Sequence, residues 1–166
     1  MKEVIITINE SDITSRIFTE SGYTALARAK SGIPESLGDI IQATEDDHRI
    51  IKRFIVDSIN EAASIISRYM SPCSIKNIGD GIDNIIYIQF TMPHNCPDSM
   101  TALLKECICS FSTARSLQWW MLTVKPDEAN THIAKAQNEL ARMRELLSSR
   151  TRPVKTNAND DNIVEL

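Results

Sequence analysis

The chain has 166 residues, 22 acidic against 18 basic, a net charge of −4 and 42% hydrophobic residues. That length suits one domain with a core of ordinary size, and the acidic balance argues against a surface that coats nucleic acid. No apolar run approaches the roughly 20 residues of a membrane span, and Met1–Ile8 is too short and too acidic to read as a signal peptide.

In chain order, Val4-Ile5-Ile6-Thr7-Ile8 reads as a short β-branched strand or an extended arm. Cap candidates at Asn9–Asp12 then precede a helix from about Ile13 to Lys30, with Ile13, Ile17, Phe18, Leu26 and Ala29 as its apolar positions. Gly22 interrupts that pattern and predicts a kink or a split. Ser31-Gly32-Ile33-Pro34 is a breaker. Apolar residues from Leu37 through Ile40, Ile41, Ile51, Phe54, Ile55, Ile59, Ala62, Ile66 and Tyr69 recur mostly at threes and fours. Thr44 falls in the gap as an internal cap, so the main helix spans about Glu45 to Met70 and stops at Pro72. Ile50, Val56 and Ile65 widen its apolar face.

The period then changes to two. Ile86, Ile88, Phe90 and Met92 alternate with Tyr87, Gln89 and Thr91, and the turn signature Gly79-Asp80-Gly81 precedes them. A β-hairpin at about 73–92 is expected, its first strand around Cys73–Ile78. A third long helix carries Met100, Leu103, Leu104, Cys107, Ile108, Phe111, Ala114, Leu117, Trp120 and Met121. Pro126-Asp127-Glu128 suits a helix start. The last helix repeats Ala129, Ile133, Ala136, Leu140, Met143 and Leu147 at alternating fours and threes, a seam against its antiparallel neighbour with Leu140 in the core. Beyond Leu147 the chain turns basic and then polar, and residues 150–166 read as a flexible arm. The fold class is mainly α: a helical bundle of three to four long helices with one inserted hairpin and extended terminal arms. One helical domain covers 1–149.

Chemical signatures are sparse. No HExxH, GxSxG or phosphate-binding loop occurs, so no enzymatic activity and no cofactor are expected. Cys107 and Cys109 share a helix, where positions two apart point about 200° away from each other. They cannot join His94 and Cys96 around one metal ion, and the four cysteines read as small apolar residues. His48 reads as a solvated or capping residue, and His132 as an exposed partner of Glu128 at i,i+4. Trp119 and Trp120 sit about 100° apart on one helix, so one ring can enter the core while the other lies at its edge as a contact candidate. Arg150, Arg152 and Lys155 are a weak candidate for phosphate contact. Terminal Ile163, Val164 and Leu166 suit strand addition to an exposed sheet edge, the edge expected being Ile85–Met92.

The hairpin Ile85–Met92, the helix ending Leu117-Gln118-Trp119-Trp120-Met121, the joint Lys125-Pro126-Asp127-Glu128-Ala129 and the last helix running into Arg150-Thr151-Arg152-Pro153 together resemble the small head–tail connector (adaptor or neck) proteins of tailed bacteriophages, of the Bacteroidetes phage and prophage type. The resemblance covers about Asp47 to Val154 and is one of layout. It implies a structural virion protein without enzymatic activity, forming a ring, commonly of twelve copies, beneath the portal. Its partners would be its own copies, the portal, other neck and tail proteins, and DNA passing through the lumen without sequence readout, with no membrane involved. The alternative is a cytosolic helical protein-binding or regulatory module. A DNA-binding regulator would need a helix–turn–helix with a basic second helix, which Asp46-Asp47-His48-Arg49 does not supply.

Overall fold

The alternation of Ile86, Ile88, Phe90 and Met92 produces strand β3 (Ile85–Met92), with all four side chains buried. In the computed structural model, which describes residues 1–30, 42–78, 84–97 and 99–149, β3 is paired on both sides. Strand β2 (Cys73–Ile78) runs antiparallel to it, with Cys73 opposite Phe90 and Ile75 opposite Ile88. Strand β1 (Lys2–Asn9) runs antiparallel along the other side, with Val4 opposite Phe90 and Ile6 opposite Ile88. The order β1-β3-β2 makes a three-stranded sheet.

This decides one expectation and corrects another. Of the two readings of the N-terminal segment the strand holds and the terminal arm does not, because Val4, Ile6 and Ile8 form one apolar face that the sheet buries; each such side chain gains roughly 1.5–3 kcal/mol on burial. For the same reason β3 is the central strand, and the edge expected to receive Ile163–Leu166 is occupied by β1. The tail 150–166, the turn Gly79–Gly81, the breaker Ser31–Pro34 and the apolar positions Leu37, Ile40 and Ile41 lie outside the described residues.

Helix α1 (Glu10–Lys30) follows β1 directly, and the Glu10 N–H donates to the Asn84 carbonyl at 3.0 Å. It passes through Gly22 without interruption. Ile13 and Ile17 are fully buried, whereas Leu26 is 60% exposed, so the inward face continues through Ser21 and Ala25 instead. The Ser21 hydroxyl explains the substitution: it accepts the Ala43 N–H at 3.1 Å where the chain returns.

Thr44 sits at the start of a short 3₁₀ turn (Glu45–Asp47) as the cap expected. Its N–H and its hydroxyl both donate to the Asp47 carboxylate at 3.0 Å, while the Asp47 N–H donates to the Thr44 carbonyl at 3.1 Å. Helix α2 (His48–Tyr69) follows and buries Ile51, Ile55, Ile59, Ala62 and Ile66. Ile50 and Tyr69 fall outside that stripe and are half exposed.

Helix α3 (Met100–Val124) buries Leu104, Cys107, Ile108, Phe111, Leu117 and Met121 completely, and only Leu103 of its expected apolar set turns to solvent. A single residue, Lys125, separates it from helix α4 (Pro126–Ser148). Ala129, Ala136, Met143 and Leu147 of α4 are buried, and Leu140 packs against the core while half-buried. Helix α2 lies on another side of α3, and α1 touches both, through Glu10–Lys52 (3.8 Å) and Arg16–Glu106 (3.0 Å). The described chain is therefore mostly helix, with α3 in the middle and the small sheet against it.

Because Gly22 is helical and, among the described residues, a Cβ there would meet only the Gln42 side chain, at 3.8 Å, Gly22→Ala is expected to raise stability by about 0.5–1 kcal/mol. Urea unfolding of both chains measures this.

Candidate interaction surface

Helix α2 presents Arg49, Ile50, Arg53, Phe54 and Asp57 in one stripe, at helical spacing, beside the last turns of α3. Trp119 and Thr123 of α3 complete the lining of an open groove of about 670 Å³. Trp120 is 6% exposed and belongs to the core, whereas Trp119 lies at its edge.

Trp119 is held on two sides. The Phe54 ring lies 5.7 Å from it at a 53° tilt, and the Arg115 guanidinium lies 5.2 Å from its ring centre. Tilted aromatic pairs and cation–π contacts at these distances are favourable. Arg115 is itself fixed by a forked pair to Glu61: Nε donates to Oε2 at 2.9 Å and Nη2 to Oε1 at 3.0 Å. Its remaining nitrogen, Nη1, donates to Gln118 Oε1 at 2.9 Å. The fork bridges α2 and α3, so the indole is held by side chains from two helices. Of the lining residues, Ile50 is 50% exposed. Arg53 stands 3.9 Å from Asp57 at the rim, a solvated pair that contributes little. This lining offers aromatic, aliphatic and guanidinium surface; what it can do chemically is bind.

A second crevice, about 490 Å³, separates α1 from α4 and is lined by Glu20, Tyr23, Thr24, Glu128, His132 and Lys135 among others. Lys135 Nζ reaches Glu20 at 3.1 Å across it. Below it, Arg16 forks onto Glu106 at 3.0 and 3.4 Å, and the hydrogen bond from Arg16 holds the Glu106 carboxyl below its usual range. His132 corrects the sequence reading: it is 4% exposed, and Glu128 instead lies 3.7 Å from Lys125. The His132 Nδ1 is buried with no hydrogen-bond partner among the described residues. Burial above all, with Lys135 nearby, pushes its pKa down.

The cysteines face apart. Cys107 looks toward Glu139 and Arg142 of α4, with its thiol pushed up to about 11 by burial, while Cys109 looks toward Arg16 of α1. Cys73 lies with its sulfur 3.9 Å from the Ala63 carbonyl. His48 opens α2 and is half-buried. The remaining sequence candidates, Arg150, Arg152, Lys155, Ile163, Val164 and Leu166, fall outside the described residues, so only the tryptophans are placed.

Phe54 and Arg115 escaped the sequence reading as members of a site. Arg115 stands four residues before Trp119, the spacing at which a cation reaches a ring on one helix face, and that signal was present. The pairing to Glu61, 54 residues away, had none.

Comparison with known proteins finds no match to the chain among family models, curated proteins or solved structures. Among the described residues no helix is long and apolar enough to cross a membrane.

The lowered pKa of His132 sets a pH dependence. Below its unfolded value of about 6.5, the unfolded chain takes up a proton that the folded chain resists, so stability falls as pH drops from about 6.5 toward the lowered folded value. Glu106 acts only at more acidic pH, since its pKa is lowered from 4.5. Unfolding midpoints at pH 7 and pH 5 are expected to separate less in His132→Gln than in the parent chain.

Proposed function

We propose that the chain is a structural subunit of the head–tail connector of a tailed phage, a ring of copies beneath the portal, twelve being the common number in the family it resembles. The observation that carries the reading is the Trp119 groove. An indole clamped by Phe54 and Arg115, with half-exposed Ile50 lining the same groove, is a preorganised contact surface on rigid helices. Tryptophan and arginine are the residues that dominate protein–protein contacts, and a fixed rotamer lowers the entropy lost on association.

The helical architecture suits side-by-side packing of subunits. The net charge of −4 suits a lumen through which DNA slides without being held. The layout resemblance described from the sequence supplies the identity of the assembly. In this reading the protein works by occupying a position, without catalysis, and is found in the virion after assembly in the host cytoplasm. The same groove on a monomer would instead serve a cytosolic helical binding module.

Light scattering and negative-stain electron microscopy of the full chain separate the two. The expected result is a particle of many 18.6 kDa subunits with a central hole, reduced in Trp119→Ala while the far-ultraviolet circular dichroism stays helical. A single 18.6 kDa species at every concentration, with no rings on the grids, refutes the ring.

A further inference from the structure

The sheet has two outer edges, and they are built differently. The β2 edge is six residues long, follows Pro72 and carries the exposed Lys76. The β1 edge is eight residues long, and its centre, Val4-Ile5-Ile6-Thr7-Ile8, is β-branched throughout. It contains no proline, and its charges are confined to Lys2 and Glu3 at one end. Among the described residues only β3 pairs with it. An edge strand presents a row of main-chain donors and acceptors that another strand can take up, and folded proteins ordinarily guard such edges with short length, proline, bulges or central charge. The centre of β1 carries none of the last three.

One side chain makes the same point. Ile5 is on the sheet face turned away from Val4, Ile6 and Ile8, opposite Gln89, and it is 55% exposed. Among the strand residues whose side chains are described, it is the one large apolar side chain left mostly in water.

We propose that the open edge of β1 is where a second copy of this chain docks, by adding its own β1 in antiparallel register so that two three-stranded sheets become one of six strands. The β1 sequence is self-complementary in that arrangement. Setting Ile5 against Ile5 of the second copy sets Val4 against Ile6, Glu3 against Thr7 and Lys2 against Ile8. Even-numbered residues meet even-numbered residues, so the buried face of each sheet continues as a buried face. No two like charges stand opposite each other, and the exposed isoleucine gains its own copy as a cross-strand neighbour. Main-chain hydrogen bonds supply the attraction, as in other strand additions. The contact uses the same patch on both copies, so it is isologous and generates a twofold pair. The inference goes beyond the ring reading and stands without it; an assembly that uses both contacts holds an even number of copies.

Two variants of the full chain test it, Ile5→Lys and Ile5→Glu. The site is exposed, and circular dichroism with thermal melting verifies that each variant keeps the parent fold. The parent is expected to associate with rising concentration to an even multiple of 18.6 kDa by light scattering. Each variant alone places two like charges face to face and is expected to raise the dissociation constant about tenfold or more. An equal mixture of the two variants places lysine against glutamate and is expected to recover the parent's association. A parent that stays at 18.6 kDa, variants that associate as the parent does, or a mixture that fails to recover each overturn the proposal, the last by showing that some other strand takes the edge. Rings that persist unchanged in Ile5→Lys overturn the edge pairing and leave the ring reading standing. Pairs that form and are rescued in the mixture, without rings, do the reverse.

Discussion

Helix α3 buries side chains around nearly its whole circumference, from Leu104 and Ile108 to Phe111, Leu117 and Met121, and the other elements are arranged so that water is kept off it. Helix α4 covers one side through its own seam, α2 a second, α1 a third, and β1 lies close to it as well. A helix that is apolar on one face needs one neighbour, whereas one buried all round needs several at once. That requirement also accounts for the polar residues found inside. Ser112, Thr113, Ser116 and Gln118 of α3 are buried where neighbours cross it closely. Thr113 donates to the Cys109 carbonyl at 2.9 Å, and Gln118 accepts from Arg115. Among the described residues the hydroxyls of Ser112 and Ser116 have no hydrogen-bond partner, a loss of about 1–3 kcal/mol each that close helix approach must offset.

The charges follow the same geometry. Ion pairs sit at the seams between helices: Arg115–Glu61 between α3 and α2, Arg16–Glu106 between α1 and α3, Lys135–Glu20 between α4 and α1. The first is forked and partly buried, and it also holds a tryptophan in place. The other two are more exposed and contribute mainly by disfavouring other helix registers. The Trp119 groove is thus a by-product of how α2 is fastened to α3. Its chemistry comes from residues whose first task is to join two helices.

Much of this architecture was legible in the sequence because it rests on local periodicity. Strands Cys73–Ile78 and Ile85–Met92, the helix behind Pro126 and the cap at Thr44 all show signals within a few residues. The pairing of β1 with β3 did not, since nothing in Val4–Ile8 names its partner more than seventy residues away. The hydrophobic pattern also misplaced particular side chains in both directions. Leu26 and Leu103 are exposed, whereas Thr14, Ser21 and His132 are buried. Periodicity ranks residues by polarity, but a crowded helix crossing selects them by volume, and small hydroxyl residues fit where leucine does not. At the candidate surface, Trp119 and Arg115 were readable as an i,i+4 pair, and Glu61 and Phe54 had to come from the tertiary structure.

The strand order has a consequence for the growing chain. The nearest pair between β1 and β3, Asn9 with Ile85, is separated by about 75 residues, whereas β2 and β3 are almost adjacent in sequence. Ribosomes add about 5–20 residues per second, so β1 waits roughly 4–15 seconds between its own synthesis and that of the strand that will cover one side of it. Throughout that interval a β-branched segment stands with neither side paired, at the stage when neighbouring nascent chains on one messenger carry the same segment. Closing so long a loop also costs more chain entropy than joining β2 to β3, which places the docking of β1 late in folding.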